Sequence, residues 1–254
     1  MSLSLLTERL KKVGFQLTAD QIEGILEDAS KHNVPYSEFL DTLLLREIEF
    51  QEEKAFQQRM KGAKLPYIKR IEDFDFTFQQ SINERRVKEV LTCRFIENGE
   101  NILLLGPPGV GKTHLAIGFT VEALQRGYSA YYTRCDDFIA ACKKAEQNGT
   151  TSRLISKLCR RDILVLDEIG YFPFDERSAT IFFQVVSQRY EKGSIILTSN
   201  KSYVDWGNVF GDDILATAVL DRLLHHSTTF NIKGNSYRLR EKQKAGVQPI
   251  PVER

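Results

Sequence analysis

Short runs of apolar residues alternate with amphipathic stretches from residue 101 onward. Residues 102–105, 163–166 and 195–197 are uninterrupted apolar runs, which are typical of parallel strands buried on both faces. The stretches between them place apolar residues three or four positions apart, which is the spacing of helices. Because strands and helices alternate from Asn101 to Ile232, the pattern predicts an α/β fold with a doubly wound parallel sheet and right-handed crossovers.

Polar residues mark the boundaries of further elements in this region. We expect helices over residues 114–126 and 178–190, and two more strands over residues 129–133 and 228–232. Asp136 follows the first of these two strands, and a short carboxylate there is a suitable N-cap for the next helix.

The first part of the chain is helical throughout and contains no strand pattern. Leucines at helical spacing precede Gly14, where a first helix should end. Thr18 and Gln21 then have the spacing of a capping box that would start a second helix.

A long third helix is predicted to begin near Ser37 and to stop at Gly62 and Pro66. Its charged last turns extend beyond the core that a unit of this size can form. They are either a solvated helix or a docking surface for a partner or a neighbouring subunit, and both interpretations stay open. We predict a small all-helical N-terminal domain over residues 1–64 and a second domain over residues 65–254.

The composition indicates the class of protein, and the charged residues are unevenly distributed along the chain. The 254 residues are 42% hydrophobic and 27% charged, as in ordinary globular proteins. Residues 1–64 carry nine basic and eleven acidic side chains, whereas residues 222–254 carry seven basic and two acidic ones. The basic excess at the tail favours an anionic partner.

The four cysteines show no CxxC pairing and no histidine at metal-ligand spacing. We therefore expect reduced core thiols, and neither a zinc site nor a disulfide framework. The chain has no signal-peptide core and no uncharged apolar run of membrane-spanning length. These features predict a cytoplasmic protein without a membrane partner.

The strand at residues 102–105 leads into the loop with the clearest chemistry. The loop and the residue that follows it read Gly106, Pro107, Pro108, Gly109, Val110, Gly111, Lys112, Thr113 and His114. This is the Walker A pattern between a strand and a helix, in which loop amides hold phosphates and the lysine reaches the β and γ oxygens. The segment predicts ATP as a ligand, with the Thr113 hydroxyl as a ligand of Mg²⁺.

Two carboxylates stand where the next long apolar strand ends. Asp167 and Glu168 directly follow residues 163–166, and open α/β sheets bind ligands at the carboxyl ends of their strands. Asp167 would complete the Mg²⁺ shell, and Glu168 would act as a general base on the attacking water. Asn200 ends the following strand and could orient that water. An ordinary acidic turn is the alternative.

Upstream of the loop, the stretch around Phe74 and Phe76 is extended and aromatic. These rings are candidates for an adenine pocket or for plain core residues. Ser81 and Glu84 then have the spacing of a capping box for a helix that should run to about Glu97.

Several short motifs together resemble one branch of the AAA+ ATPases. Besides the P-loop, they are DEIGY at residues 167–171, TSN at 198–200, LDRL at 220–223 and GNSYR at 234–238. The combination is similar to the branch shared by the DnaC helicase loader and the IstB transposition helpers of bacterial insertion sequences. The resemblance covers essentially the whole chain, and the helical N-terminal segment makes it most similar to the IstB family.

The resemblance implies roles that the residues alone do not. Asn200 would be the sensor I residue, and Arg222 would be an arginine finger that acts on nucleotide held by the next subunit of a homo-oligomer; an ordinary ion-pair arginine is the alternative. The few residues after the last predicted strand are too short for a full helical lid. This truncation is a feature of the same branch, and it puts a sensor II role for Arg238 in doubt.

A basic stretch lies between the second strand and Asp167. It contains one acid, Glu146, and six basic residues: Lys143, Lys144, Arg153, Lys157, Arg160 and Arg161. Replication initiators and their loaders carry an extra helix here that lines a nucleic-acid channel. Such cations would neutralise phosphates without reading bases, although a solvated basic face is the alternative. No aromatic residues are interleaved for base stacking, so duplex DNA is favoured.

The resemblance therefore implies an ATP-dependent DNA-binding helper that oligomerises on duplex DNA. It would select or remodel target DNA and stimulate the transposase of the same insertion element. A helicase loader is the main alternative, in which residues 1–64 would bind a replicative helicase. A small-molecule P-loop kinase fits less well, because Glu168, Asn200 and Arg222 suit attack by water.

Overall fold

The computed structural model describes residues 2–244, with side chains through residue 240. The last ten residues of the predicted basic tail lie outside the described residues. Those described divide into two compact units, with the boundary between Gln58 and Arg59.

The larger unit contains a five-stranded parallel sheet in the order β2-β3-β4-β1-β5. The strands are β1 (Asn101–Leu105), β2 (Ala130–Arg134), β3 (Ile163–Ile169), β4 (Ser194–Ser199) and β5 (Ser227–Asn231). β1, β3 and β4 are almost wholly buried, because helices cover both faces of the sheet. This order confirms the doubly wound parallel sheet, and it places β4 between the strands that carry the two predicted nucleotide motifs.

Twelve α-helices lie within the described residues. They are α1 (Leu3–Lys12), α2 (Gln16–Lys31), α3 (Tyr36–Ala63), α4 (Glu84–Val90), α5 (Arg94–Glu97), α6 (Lys112–Gln125), α7 (Cys135–Gln147), α8 (Thr151–Cys159), α9 (Glu176–Arg189), α10 (Trp206–Phe210), α11 (Asp213–His225) and α12 (Tyr237–Lys244). In the described part of the chain, α12 is the only helix after β5, so a full helical lid is absent there, as expected.

One face of the sheet is covered by an aromatic cluster. Phe174 lies 4.8 Å from Phe210 and 5.4 Å from Phe182, measured between ring centroids, and Trp206 is fully buried beside them. This cluster packs α7, α9, α10 and α11 against β3 and β4. The strand ends that carry the polar motifs are thereby held on a rigid support.

The N-terminal unit contains α1, α2 and the first part of α3. The predicted capping box at Thr18 and Gln21 is wrong, because α2 already begins at Gln16. The free amides of its first turn are instead satisfied by Glu47 from α3, whose carboxylate accepts bonds of 3.0 Å from the backbone N–H groups of Gln16 and Thr18. A distant residue therefore replaces the local cap.

The predicted capping box at Ser81 and Glu84 is also wrong. α4 begins at Glu84 and is capped by Asn83, which accepts a 2.9 Å bond from the Arg85 amide. The Ser81 hydroxyl instead donates to the carbonyl of Lys233 at 2.9 Å. The helix expected to reach Glu97 is interrupted, because Cys93 adopts a left-handed conformation with φ of 62° between α4 and α5.

Asp136 is likewise inside α7 and not at its N-cap, which is Arg134. The four cysteines are unpaired, as expected; three are buried and Cys159 is half-buried. Among the described residues, no helix is both long enough and apolar enough to cross a bilayer.

Candidate nucleotide site

The glycine-rich loop joins β1 to α6 at the carboxyl edge of the sheet. Gly111 precedes the helix with φ of 99°, a conformation that glycine adopts without strain. A Cβ at this position would lie 2.6 Å from the Phe74 ring. The loop can therefore pack against the aromatic wall only with glycine here, and the N-terminus of α6 points its free amides toward the loop, as in phosphate sites.

Lys112 is buried beneath this loop. Its ammonium donates to the carbonyls of Gly106 at 2.6 Å and Pro107 at 2.8 Å. Burial lowers the pKa of Lys112 to about 8, although the charge of Asp167 acts in the opposite direction. The phosphates of a nucleotide are anionic and would replace these neutral carbonyls as acceptors of the ammonium's hydrogen bonds.

Asp167 is almost fully buried at the end of β3 and is held by three hydroxyl groups. The hydroxyls of Thr198, Tyr132 and Thr113 lie 2.5, 2.7 and 3.0 Å from its carboxylate oxygens. Burial and the neighbouring charge of Asp167 raise the pKa of Tyr132, so its phenol stays protonated and donates. The two predicted Mg²⁺ ligands, Thr113 and Asp167, are therefore in direct contact.

Glu168 takes a different direction from its neighbour. Its φ is 65°, and its carboxylate pairs with the Arg134 guanidinium at 2.9 Å. Its backbone amide donates to the Thr198 hydroxyl at 2.9 Å. One hydroxyl on β4 therefore fixes both predicted acidic residues, since it donates to Asp167 and accepts from the amide of Glu168.

These groups surround a cavity of about 320 Å³. Gly109, Val110, Gly111, Lys112, Thr113, His114 and Glu168 line one side, and Tyr67, Phe74, Phe78, Tyr237 and Arg238 are among the residues that line the rest. The size and the pairing of a polar floor with aromatic walls suit a nucleotide. Of the two predicted adenine-pocket rings, Phe74 lines the cavity. The Phe76 ring packs against Phe74, with 4.9 Å between the two ring centroids.

The segment after β5 closes the cavity in place of a lid. The Tyr237 amide donates to the carbonyl of Gly109 at 2.9 Å. Arg240 pairs with Asp75 at 3.1 Å and stacks on the Phe78 ring at 4.6 Å. Arg238 lies between these anchors and lines the cavity.

Several predicted nucleotide-site residues are not among those that line the cavity: Gly106, Pro107, Pro108, Asp167, Asn200 and Arg222. Asn200 is half-buried, and its Oδ1 has no hydrogen-bond partner among the described residues. Arg222 is on α11, where it donates to the carbonyl of Ala218 at 2.8 Å and stacks on the Phe183 ring at 4.8 Å. The catalytic roles of Asn200 and Arg222 stay predictions.

The predicted DNA-binding cations are divided between two helices and a turn. Lys143 and Lys144 are on α7, Arg153 and Lys157 are on α8, and Arg160 and Arg161 follow α8. Lys143 pairs with Asp175 at 3.5 Å.

Arg134, Tyr132 and Thr198 were not identified from sequence. Arg134 ends β2, and the rule that strand ends carry ligand groups could have found it. Thr198 is a polar residue within a buried strand, which is itself a signal that its hydroxyl has a partner. For Tyr132 the sequence contains no such signal, because an aromatic residue is ordinary in a strand.

Comparison with known proteins supports ATP as the nucleotide that the chain binds. The chain is 48% identical, over 96% of its length and 91% of the relative's, to the insertion sequence IS21 ATP-binding protein of Pseudomonas aeruginosa. AMPPCP-bound DnaA from Aquifex aeolicus superposes with a TM-score of 0.53 at 29% identity, over 69% of this chain and 55% of that one. The DnaC helicase loader superposes with a TM-score of 0.52 at 20% identity, over 69% and 99% of the two chains, which shows the shared fold.

The family described as IstB-like ATP binding protein matches residues 8–245. That range contains the P-loop, the two carboxylates at the end of β3 and the closing segment after β5. The chain therefore belongs to the IstB-like family of ATP-binding proteins and is an AAA+ ATPase.

Proposed function

We propose that this ATPase is an ATP-dependent DNA-binding transposition helper. It oligomerises on duplex DNA, selects or remodels the target, and stimulates the transposase of its own insertion element. The observation that carries the proposal is the 48% identity, over nearly the whole chain, with an ATP-binding protein of an insertion sequence. A transposase is the partner that the setting of that relative suggests.

Within the site, Lys112 and the loop amides bind the phosphates of ATP. The Thr113 hydroxyl and the Asp167 carboxylate fit Mg²⁺, which prefers hard oxygen ligands and phosphate, and their 3.0 Å contact supports this pairing. The ion would neutralise phosphate charge during transfer. Glu168 polarises the attacking water as a general base, and Asn200 orients it.

Homo-oligomerisation follows from the position assigned to Arg222. This arginine lies outside the cavity lining of its own chain and is held on α11 by Ala218 and Phe183. A finger that acts on the next subunit's nucleotide makes the active site depend on assembly. ATP binding would build the oligomer, and hydrolysis would dismantle it.

The decisive experiment measures ATPase rate and particle size with and without duplex DNA, for the wild type and Glu168→Gln. DNA should raise the wild-type rate, and Glu168→Gln should accumulate large ATP-dependent complexes on DNA because it binds but does not hydrolyse ATP. Lys112→Ala is the control that should lose both assembly and stimulation of the transposase.

If neither rate nor particle size responds to DNA, the transposition-helper proposal is wrong. Retention of assembly and transposase stimulation by Lys112→Ala would also contradict it. Binding of a replicative helicase by the chain, in place of a transposase, would favour the loader function instead.

A further inference from the structure

We infer that duplex DNA is bound by cations from two distant parts of the sequence, the end of α3 and the end of α8. This surface, the α3–α8 patch, consists of Lys64, Lys157, Arg160 and Arg161. The inference rests on the proposed DNA-binding function. It keeps three of the six predicted cations, leaves out Lys143, Lys144 and Arg153, and adds Lys64, which the sequence did not indicate.

The patch is organised around the Tyr131 ring on β2. The Lys157 ammonium lies 4.6 Å from the ring centroid and donates to the phenol oxygen at 3.0 Å. The Lys64 ammonium lies 5.9 Å from the same centroid. Two exposed lysines that are 93 positions apart in sequence therefore share one aromatic support, which lets both charges remain close without an acidic partner.

Arg161 extends the patch toward α3. Its Nη2 atom would be 3.6 Å from a Cβ at Gly62, so the guanidinium lies in van der Waals range of the last turn of α3. The turn at the end of α8 is held by Arg189, a buried residue that donates to the carbonyls of Leu158 and Arg161 at 3.0 and 2.8 Å. Because Arg189 satisfies these carbonyls, the side chains of Arg160 and Arg161 are not needed for capping.

Charge balance separates this patch from Lys143, one of the two predicted cations on α7. On α7, Lys143 pairs with Asp175 at 3.5 Å, and Glu146 pairs with Arg177. Among side chains of residues 2–240, no carboxylate lies within 4.0 Å of the charged groups of Lys64, Lys157, Arg160 or Arg161. The neighbouring Asp162 carboxylate is occupied by the amide and hydroxyl of Ser129, at 2.7 and 2.8 Å.

The same geometry favours the phosphates of a duplex over stacked single-stranded bases. Tyr131 is half-buried, and its ring is approached by two ammonium groups, so it is not an open platform for a base. Ammonium and guanidinium groups without acidic partners bind backbone phosphates irrespective of sequence. We therefore expect contacts without base specificity at this patch.

The test measures binding of the full chain to a fluorescently labelled duplex by anisotropy, with a slowly hydrolysed ATP analogue and increasing salt. Lys64→Gln/Lys157→Gln removes two charges and keeps most of the stems that cover Tyr131. Its matched control is Lys143→Gln/Lys144→Gln on α7, which also removes two exposed lysines. Thermal melting checks that each variant folds.

The patch variant should bind about 10-fold more weakly near 0.1 M salt, and its slope of log K against log salt should fall by about 1.8, that is ~0.9 per lost phosphate contact. The α7 control should change the slope by less than half as much. Lys64→Arg/Lys157→Arg keeps the charges and should bind like the wild type.

An equal or larger loss in the α7 control would overturn the patch and leave the proposed DNA-binding function intact. A loss in the arginine variant as large as in the glutamine variant would show that packing, and not charge, is responsible. If the wild type binds no duplex in any nucleotide state, both this inference and the proposed function fail.

Discussion

Glu47 shows how one buried carboxylate can take over the work of a local helix cap. It accepts the amides of Gln16 and Thr18 at 3.0 Å, the Thr18 hydroxyl at 3.1 Å and the Gln51 amide at 2.8 Å. Burial alone would raise the pKa of Glu47, but these hydrogen bonds together hold it below its ordinary value of 4.5. The ionised carboxylate therefore stabilises the junction of α2 and α3.

We predict that Glu47→Gln destabilises the helical unit by about 1–3 kcal/mol at neutral pH, because amide hydrogens replace an oxygen that faces donors. Glu49→Gln, on an exposed position of the same helix, should change stability by less than 0.5 kcal/mol, as is usual for surface substitutions. Hydrogen exchange in α2 is the measurement. Equal exchange in the two variants would contradict the capping role.

The pH dependence of this stabilisation follows from the lowered pKa of Glu47. A carboxyl with a lowered pKa in the folded state contributes stability that is present above its unfolded pKa and is lost as pH falls through the folded pKa. The difference in stability between the wild type and Glu47→Gln should therefore become smaller as pH falls below 4.5. A difference that widens in acid would refute this assignment.

Thr198 is the residue on which the acidic end of β3 depends. Its hydroxyl donates to Asp167 at 2.5 Å and accepts from the Glu168 amide at 2.9 Å. The same group therefore orients the predicted Mg²⁺ ligand and the predicted general base. A nonpolar side chain of equal shape would leave both partners without this hydroxyl.

We predict that Thr198→Val lowers the ATPase rate at least 10-fold while ATP affinity changes less than about 3-fold, because orientation at the end of β3 is lost and the P-loop is not. Thr198→Ser retains the hydroxyl and should restore most of the rate. Single-turnover hydrolysis and nucleotide titration separate the two effects. A large loss of affinity with an unchanged rate would contradict the assignment.

Among the secondary-structure elements, α12 and the residues before it substitute for a lid. Three contacts attach the segment to the nucleotide cavity: the Tyr237 amide on Gly109, the Arg240 pair with Asp75, and the stacking of Arg240 on Phe78. The segment also brings Arg238 to the cavity. Its position should therefore control how tightly ATP is held.

We predict that Arg240→Ala weakens ATP binding about 3- to 10-fold, because loss of the pair and the stacking contact loosens the segment that lines the cavity. Leu239→Ala, next to it and more than half exposed at 54%, is the control and should bind ATP normally. Fluorescent-nucleotide titration gives the affinities. Identical affinities for the two variants would show that α12 does not hold nucleotide.

The whole molecule is organised so that its cavity and its predicted finger do not meet in one chain. Arg222 is anchored on α11 by Ala218 and Phe183, whereas the cavity is lined by the P-loop, Glu168 and the segment after β5. If Arg222 completes the cavity of a neighbour, two inactive variants can complement each other in a mixed oligomer.

We predict that Arg222→Ala and Glu168→Gln each lose at least 100-fold of the ATPase rate, and that an equal mixture regains roughly a quarter of the wild-type rate, because a quarter of its interfaces pair an intact cavity with an intact finger. ATPase assays on mixtures prepared with duplex DNA measure this. Activity that stays at the level of the separate variants would refute action between subunits.

The amino-acid sequence by itself determined the parallel α/β fold, the phosphate loop and the two carboxylates at the end of β3. These features are predictable because each depends on neighbouring residues: apolar runs form buried strands, and the glycine loop with Lys112 is one contiguous segment. Glu168 and Thr113 could be placed at one site because the carboxyl ends of parallel strands share an edge.

Only the tertiary structure decided which partners hold those groups. Thr198 and Tyr132 meet Asp167, Glu47 caps α2, and Lys64 joins Lys157 on Tyr131. Each of these contacts joins residues at least 26 positions apart. No local pattern encodes such contacts, because side-chain hydrogen bonds and charge clusters depend on distances that arise only when the helices and strands pack.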